Sequence, residues 1–598
     1  MKYLKMAYLT GAYERLRRIS HIKWLFIVVA SMPICFFLYQ YLTTGNKILT
    51  GDFDYYAQMY EAFRISVLKY GQFPSWNPWM AGGLPLYANP QFGLISIQSI
   101  LSLIFGAVYG LKLAYGIYAL AGFWGMYILG KKVLKSGTIR SVLIAYIWVF
   151  CGFFAGHNIS HFTFSLFYLL PWLIIFIYSR KNKLAWLWLA LVESIIILSS
   201  VHYAFLMTSI AVGAYFIISL LSGEFKGKEL VLKIKISKSD ILFVLKFLAV
   251  VIVLCGYRFM TTLMYVSANE RAVNVERMVT CPDIIFSSIF LPIGSFLKIP
   301  QNLDWGWGEY SMYIGIGASI ALLVCITLII KRAFWGPKIK SINKMKFVLP
   351  IIVIGVLCVA FALGDFGKFS PYHILHTLPG FAQTRVPSRW LIMTVFVILV
   401  FLLAWRTNKK LINILLLLSA IELFLSFGPP TAIGQNQISI PNNIPYSETF
   451  TQYDNNYSHR ILKDNIDNSY YYSTARNIGQ IYADDSIINT LNRVYGTSKC
   501  GINIDKDCSL VLSKNAIINF WSPNKIIVQR KGKGEIILNM NVQNGWRINN
   551  KYVYFDIKNL DPNVEFVIPN SETEYYTLEY APKLSPSWGI WKIFHKSD

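Results

Sequence analysis

Long apolar runs, separated by short basic segments, occupy the first 427 residues of the chain. Most of these runs approach the ~20 consecutive apolar residues that an α-helix needs to cross the hydrocarbon core of a bilayer. The pattern therefore predicts an α-helical polytopic membrane domain over residues 1–427, with about eleven transmembrane helices. The predicted spans are 24–42, 113–129, 142–156, 162–178, 184–199, 203–221, 241–260, 313–330, 347–363, 390–405 and 411–427.

Basic residues between the runs predict the orientation of the chain. The positive-inside rule assigns short basic loops to the cytoplasm, so an even number of spans must separate consecutive basic segments. Three apolar runs precede the second basic segment, and the weakest, 93–110, is predicted to lie in or near the outer interface. The N-terminus is then cytoplasmic, the first external loop is 43–112, and the C-terminal region is extracytoplasmic. The basic segments are 15–23, 131–135, 180–183, 226–238, 331–346 and 406–410.

The sequence changes character after Pro429 and Pro430. Short alternating runs, broken by Gly, Pro or Asn-Asn, replace the long apolar ones, and such alternation indicates half-buried β-strands. Residues 428–598 are therefore predicted to form an extracytoplasmic β-sandwich-like domain. Cys500 and Cys508 in this region form a disulfide in an oxidising compartment or remain two free thiols. The alternating runs are 525–529, 535–540, 552–557 and 576–580.

Composition agrees with a membrane protein and argues against nucleic-acid binding. Of the residues, 55% are hydrophobic, which exceeds the usual share in soluble domains. The formal net charge of +25 would suggest a nucleic-acid partner in a soluble protein. Here the positive charge lies in the loops between spans, where it already determines orientation, and no zinc-finger or helix-turn-helix motif accompanies it.

The first external loop carries two carboxylates directly after the first span, Asp52 and Asp54. A carboxylate at the membrane face can act as a general base, and two together can bind a divalent cation such as Mg²⁺ or Mn²⁺. Helix capping is the structural alternative for either aspartate. The sequence leaves open which of the two is the base and whether a metal is involved.

Three arginines near the outer ends of spans are candidates for binding a phosphate. Arg385 and Arg389 flank Val-Pro-Ser at the start of a span, a spacing that suits a phosphate clamp. Arg258 lies near the outer end of another span. Snorkelling of the side chain toward the interface is the alternative role for such residues.

Three histidines lie in predicted external turns and could line a site. His157 and His161 are four residues apart, which places both on one face if that turn is helical. His202 occupies a similar turn. These residues could bind a metal or act beside a phosphate, or they could simply be polar turn residues.

Several motifs together resemble the bacterial YfhO family, within the GT-C class of integral-membrane glycosyltransferases. Each motif is weakly specific, and their order and spacing across nearly the whole chain carry the resemblance. The matching residues are Gly51-Asp52 with Tyr55, Tyr56 and Gln58; Phe73-Pro74 and Trp76-Asn77-Pro78 with Gly83 and Pro85; Glu309 with Tyr313-Ile314-Gly315; and the segments 378–381, 385–390, 522–525, 544–546 and 579–582.

The resemblance implies an inverting hexosyltransferase that uses a polyprenyl-phosphate sugar donor. The acceptor would be a cell-envelope polymer, such as teichoic acid or another surface glycan, on the outer face of the membrane. The catalytic acid of such enzymes maps onto Asp52 by its Gly-Asp context, with Asp54 the competing choice, and Tyr55 and Glu309 would line the site. A transporter or flippase for lipid-linked sugars is the alternative function, and its hallmark would be acidic residues near the membrane midplane.

Overall fold

The computed structural model describes residues 25–45, 47–49, 52–157, 161–226, 229–234, 236–268, 280–292, 307–335, 342–378, 381, 384–405, 409–427, 437–453, 466, 469–480, 510–554 and 566–582. Within them the chain is mostly helical up to Phe427, and beyond it the regular secondary structure is mainly β-strand. Cys500 and Cys508, and the question of their disulfide, lie outside the described residues.

Helices account for all eleven apolar runs that the sequence singled out. Their bounds are α1 Leu25–Thr43, α2 Asp52–Leu68, α3 Ile97–Phe105, α4 Ala107–Ile128, α5 Thr138–Phe150, α6 Gly152–His157, α7 Leu170–Tyr178, α8 Ala185–Ser199, α9 Tyr203–Ser219, α10 Lys238–Ala268, α11 Pro282–Phe290, α12 Ile316–Trp335, α13 Ile342–Ala362, α14 Pro371–His376, α15 Leu391–Ala404, α16 Lys409–Phe427 and α17 Tyr470–Ala475. Short 3-10 turns precede α7, α12 and α15, at Phe162–Leu169, Trp307–Glu309 and Pro387–Trp390.

Length and composition separate these helices into two groups. Among the described residues, five helical segments are long and apolar enough to cross a membrane, which identifies a multi-pass membrane protein. The other apolar helices are shorter, so the total of eleven crossings stays a prediction. The five segments are Leu25–Thr43, Ala107–Val133, Thr138–His157, Lys238–Val266 and Pro387–Ala404.

The run at 93–110 forms the short helix α3 rather than a span. Ser96 caps its N-terminus, and Ser99 completes a reciprocal capping box. Gly106, with a φ of 85°, interrupts the helical conformation between α3 and α4. Nine residues of helix extend only about 14 Å, so α3 is too short to cross a bilayer, in line with the interfacial position predicted for it.

Strands beyond the helical region form two packed sheets. The larger has the order β13-β12-β15-β10-β9, and β11 pairs with β14 in the smaller. Trp546 of the larger sheet packs edge-on against Phe566 of the smaller, with 6.0 Å between ring centroids. The C-terminal region is thus β-rich as predicted, although the strands Ala516–Ser522, Trp546–Ile548 and Phe566–Ile568 were not foreseen. The strands are β9 Ala516–Ser522, β10 Lys525–Arg530, β11 Ile536–Leu538, β12 Trp546–Ile548, β13 Lys551–Tyr552, β14 Phe566–Ile568 and β15 Tyr575–Tyr580.

Smaller strand pairs connect distant parts of the chain. The strand after α1 pairs antiparallel with β6, which follows the last apolar helix. Two further strands, β7 and β8, pair in parallel within the C-terminal region. The bounds are β1 Lys47–Leu49, β2 Trp76–Asn77, β3 Leu84–Pro85, β4 Leu221–Lys226, β5 Glu229–Ile234, β6 Gln437–Ser439, β7 Thr451–Tyr453 and β8 Ile478–Gln480.

The C-terminal region packs on the first external loop. The Trp76 ring of that loop lies 5.3 Å from the ring of Trp546 and 4.6 Å from that of Tyr580. Gln58 on α2 donates a hydrogen bond to Thr474 on α17 over 3.0 Å. The boundary predicted at 427/428 therefore separates two kinds of secondary structure that share a buried contact surface.

Candidate active site

Helix α2 places Asp52 at the edge of the helical region. The helix starts at this residue, directly after the short strand β1, and an acidic group in a first turn is favoured by the helix dipole. The Asp52 side chain keeps 42% of its surface exposed. It is therefore accessible to a ligand that approaches from the predicted outer face.

Asp52 begins a chain of polar contacts that leads into the protein. Its Oδ2 lies 3.2 Å from Nε2 of His161. The other ring nitrogen, Nδ1, lies 3.1 Å from the hydroxyl of Tyr56. These contacts are satisfied together when Nε2 donates to the carboxylate and the tyrosine hydroxyl donates to Nδ1. A neutral imidazole thus links Asp52 to Tyr56, and Thr163 lies 3.3 Å from the same hydroxyl.

A second group of charges centres on Glu309. Arg389 donates to its carboxylate through two nitrogens, over 2.9 Å and 2.7 Å, in a bidentate pair. His157 Nε2 lies 2.9 Å from the same carboxylate, and His157 Nδ1 lies 2.9 Å from the carbonyl of Phe153. Because both ring nitrogens of His157 face acceptors, only the doubly protonated ring satisfies both contacts.

Close backbone packing brings these residues together. Gly152 and Gly156 lie on the turn of helix that carries His157, and Gly308 directly precedes Glu309. A Cβ atom at Gly156 would stand 2.6 Å from the carbonyl oxygen of Gly308, and one at Gly152 would meet the Ser311 hydroxyl at 2.5 Å. Larger residues at these glycines would therefore push the histidine and the glutamate apart.

Aromatic rings join the two groups into one site. The Phe164 ring lies 4.7 Å from the His161 ring and 4.9 Å from the His157 ring. The Arg389 guanidinium lies 4.8 Å from the same phenyl ring and 4.4 Å from the ring of Tyr203, within cation–π range. Both faces of the site are thus apolar, which strengthens the electrostatic interactions inside.

Charges and burial shift the pKa values of two members of this site. Burial lowers the pKa of His161 to about 4, with the charge of Arg389 acting in the same direction and Asp52 opposing it. Burial alone would raise the pKa of Glu309, but the charges of Arg389 and His157 hold it well below its usual range. At neutral pH, His161 is therefore neutral and Glu309 is ionised.

Asp54, the competing choice for the base, is engaged elsewhere. Its carboxylate accepts a hydrogen bond from the Ser469 hydroxyl over 2.7 Å, and others from the backbone N–H groups of Tyr470 and Tyr471 over 2.8 and 3.1 Å. The side chain is buried and caps the N-terminus of α17. Asp54 therefore ties the C-terminal region to α2, and a catalytic role for it stays a prediction.

The arginine predictions have different outcomes. Arg258 is buried and donates to the backbone carbonyls of Tyr87, Asn89 and Phe92, so it holds the first external loop in place and is not arranged to bind a phosphate. Arg389 lies in the site, although its guanidinium group is already paired with the Glu309 carboxylate. Arg385, whose backbone N–H donates to the Tyr203 hydroxyl over 2.7 Å, lies next to the site.

The remaining predicted residues, His202 and Tyr55, lie against the rings of Tyr203 and Tyr56. His202 is buried with its ring 4.3 Å from that of Tyr203. Tyr55 is buried and accepts a hydrogen bond from Asn89 over 3.1 Å. The sequence also missed members of the site, namely Tyr56, Thr163, Phe164 and Tyr203. The only signal for Thr163 and Phe164 was their place directly after His161.

The arrangement does not fit a metal ion held by Asp52 and Asp54. Asp54 uses both its oxygens to accept hydrogen bonds from the start of α17, while Asp52 contacts His161. In the described ranges, no three His, Cys, Asp or Glu residues gather in a way that could hold a metal ion.

The fold and the site define a multi-pass membrane protein with a carboxylate–histidine–arginine cluster at the ends of its apolar helices. No family model matches the chain, and no curated protein matches it either. One similar solved structure is the cryo-EM structure of the arabinofuranosyltransferase AftD from Mycobacteria, at 10% sequence identity and a TM-score of 0.42. The match covers 69% of this chain and 27% of that one. Membership of the YfhO family stays a prediction.

Proposed function

We propose that the protein is a membrane glycosyltransferase that moves a sugar from a polyprenyl-phosphate donor to a cell-envelope polymer on the outer face of the membrane. The observation that carries the proposal is the pairing of the half-exposed Asp52 with His161, beside the buried pair of Glu309 and Arg389. This site lies where apolar helices end. A lipid-linked substrate in the bilayer and a polymer in water could meet at such a place.

Asp52 is the proposed general base. It would take the proton from an acceptor hydroxyl as the hydroxyl oxygen forms a bond to the anomeric carbon of the sugar. The bond from that carbon to the phosphate oxygen breaks, and its electron pair leaves with the polyprenyl phosphate. Because attack and departure occur on opposite faces, the anomeric configuration inverts. His161 would be a positioning residue that holds the carboxylate through its N–H.

The leaving phosphate needs a cation, and Arg385 is the proposed one. Arg389 is committed to Glu309 in a bidentate pair with only 7% of its side chain exposed, so its main role would be to hold the segment in shape. Arg385 lies four residues earlier, is only partly buried, and is fixed at its backbone by Tyr203. A guanidinium at this position would stabilise the departing phosphate charge.

An apolar groove beneath the site supports a lipid-linked donor. A cavity of about 420 Å³ lies between α1, α5 and α16, with Phe36, Tyr146 and Phe424 among its lining residues. This volume falls within the usual range of ligand pockets. Helix α5 leads from the groove through α6 to His157, so a chain that fills the groove would end close to the charged cluster.

One observation favours transport of a lipid-linked sugar as a second candidate function. Glu193 lies within α8, is buried, and accepts a hydrogen bond from Ser209 over 3.0 Å. Buried carboxylates within membrane helices often mark transport pathways. A transporter would move the lipid-linked sugar between leaflets without breaking the bond between sugar and phosphate, so the two functions give different products.

The test is an assay of the purified protein in lipid vesicles with a panel of polyprenyl-phosphate sugars and cell-envelope polymers. We expect release of free polyprenyl phosphate and a glycosylated polymer, and a fall of about 10²–10⁴-fold for Asp52→Asn. Asp283→Asn is the matched control, since Asp283 is another exposed aspartate in the first turn of a helix. Equal rates for Asp52→Asn and the wild type would refute the assignment. Movement of intact donor between leaflets, without release of polyprenyl phosphate, would favour the transporter.

A further inference from the structure

An exposed apolar surface lies beside the site on the segment 364–378, between α13 and α15. Phe369 is 93% exposed, and Phe366 is 58% exposed. Ile374, on the short helix α14, and Leu378, two residues beyond the end of that helix, are 55% and 49% exposed. The four side chains therefore give one segment an apolar outer surface in place of the polar one that water would favour.

Several polar groups near the tip of this segment are paired within the segment itself. The Gly367 N–H donates to Asp365 over 3.1 Å, and the Ser370 N–H donates to the Gly367 carbonyl over 2.8 Å. The Ser370 hydroxyl donates to the Gly364 carbonyl over 2.6 Å. His373 Nδ1 lies 2.8 Å from the Asp365 carboxylate. Internally paired polar groups are what a membrane environment requires, because lipid offers few hydrogen-bond partners.

Chain connectivity fixes where this surface lies. Helix α13 ends at Ala362, two residues before the segment starts, and the candidate span Pro387–Ala404 begins nine residues after the segment ends. The segment therefore lies close to the end of the apolar helices. Lys368, between the two exposed Phe side chains, is also exposed. Aromatic and basic side chains side by side are typical of segments that lie at the membrane interface.

The inner face of the segment is tied to the site. The Tyr372 hydroxyl donates to the Thr384 carbonyl over 3.1 Å, and His376 Nε2 lies 3.0 Å from the Thr384 hydroxyl. Thr384 directly precedes Arg385, the proposed phosphate ligand. These hydrogen bonds therefore couple the position of the segment to the position of Arg385.

We propose that the segment 364–378 is a membrane-dipping segment whose Phe366, Phe369, Ile374 and Leu378 side chains enter the bilayer interface. Its partner is the headgroup and upper acyl region of phospholipids, and its effect is to set the depth of the adjoining Thr384–Arg389 stretch relative to the headgroups. This interaction surface does not depend on the proposed sugar transfer. It would serve equally a site that handles any other substrate drawn from the bilayer.

The test is photo-crosslinking of the full chain in nanodiscs made from one defined phospholipid. A p-benzoylphenylalanine side chain replaces one residue at a time, and adducts are identified by mass spectrometry of peptides. Val253 on α10, which is 82% exposed on a candidate span, is the positive control. Tyr554, which is 69% exposed in the β-rich region, is the negative control. All three residues are exposed, so each substitution is compatible with folding.

We expect phospholipid adducts at positions 369 and 253 and none at 554. An adduct at 253 without one at 369 would overturn the proposal, since it would show that the segment stays in water. In native membranes, a protein adduct at 369 in place of lipid would overturn it too, by identifying a protein partner for this surface. Because the readout requires no catalysis, the proposal and the proposed function can fail independently.

Discussion

Two carboxylate groups in the candidate site differ in how fully their charges are paired. Glu309 accepts two hydrogen bonds from Arg389 and contacts His157, and its side chain is 22% exposed. Asp52 contacts the edge of one neutral histidine and is 42% exposed. A fully paired, buried carboxylate maintains geometry, whereas a half-exposed one can exchange its partner for a substrate. We therefore expect Glu309 to maintain the structure of the site and Asp52 to be available for chemistry.

Removing Glu309 should cause the largest loss of stability. In Glu309→Ala the Arg389 guanidinium stays buried without its counter-charge, which typically costs about 3–5 kcal/mol. Unfolding of the purified protein in mixed micelles by denaturing detergent measures the change in free energy. Glu448→Ala is the control, because Glu448 pairs with Lys69 at the surface with 86% of its side chain exposed, and such pairs contribute less than about 1 kcal/mol. Equal midpoints for the two variants would contradict a structural role for Glu309.

Removing Asp54 should weaken the attachment of the C-terminal region to α2. In Asp54→Ala two buried N–H groups and one hydroxyl lose their acceptor, which should cost about 2 kcal/mol in the free energy of unfolding. Asp54→Asn retains an acceptor oxygen and should lose less. Protease sensitivity near residues 469–480, measured with the same micelles, gives the local readout. Loss of transfer without a change in stability would instead return Asp54 to the list of candidate bases.

Removing His161 should affect rate more than stability. In His161→Ala the Asp52 carboxylate loses the group that orients it, and misplaced catalytic groups typically cost about 10-fold or more in rate. The fall should appear mainly in kcat, and His161→Gln, which retains an N–H donor, should recover part of it. An unchanged kcat in His161→Ala would show that Asp52 needs no positioning partner.

Acidification should lower the stability gradually, with a sign set by His161. Burial lowers the pKa of His161 in the folded protein to about 4, below the ordinary value of 6.5. The neutral ring thus favours the folded state above pH 6.5, and this contribution is lost as the pH falls from 6.5 through 4. The slope cannot exceed about 1.4 kcal/mol per pH unit for a single group. Thermal unfolding from pH 8 to pH 4 should show a steeper decline in the wild type than in His161→Gln, which retains the contribution of His376, whose pKa burial also lowers.

The Glu309 carboxylate affects stability in a lower pH range than His161 does, so the two contributions to the pH dependence of unfolding can be separated. Its folded pKa lies well below the ordinary 4.5, so its contribution is complete above about pH 4.5 and is lost only at lower pH. Between pH 6.5 and 4.5, Glu309 therefore adds no slope. A decline that persists in His161→Gln within this window would point to another titrating group.

The sequence predicted the membrane helices well because their signal is local. Every apolar run taken as a span is helical in the structure, and the weak run at 93–110 forms a short helix. The length of an apolar run is a local property of the sequence, and it limits which segments can cross a bilayer. Three of the four alternating runs match the strands β10, β11 and β15 to within two residues at each end. The run at 552–557 overlaps only the end of a two-residue strand. The strand Ala516–Ser522 escaped notice because its mixture of exposed and buried residues does not alternate regularly.

The site was only half readable from the sequence. Loop position singled out Asp52, the histidines and Arg389, because charged groups at the ends of spans are few. Glu309 had no chemical argument from the sequence beyond the family resemblance, and the structure places it at the centre of the charged cluster. Its partners lie 80 and 152 positions away along the chain, and no local pattern encodes contacts at that separation.

Hydrophobic length and loop charge thus determined, from the sequence alone, that this chain is a multi-pass membrane protein with acidic and basic groups near the ends of its helices. Only the tertiary structure distinguishes the surroundings of Asp52 from those of Asp54. The two aspartates stand two residues apart on one helix, about 200° apart around its axis, so they face different neighbours. Asp54 meets the N–H groups of α17, more than 400 residues later, whereas Asp52 meets His161. The neighbour that each aspartate meets depends on how distant segments of the chain pack against α2. The residues around Asp52 and Asp54 in the sequence do not determine that packing.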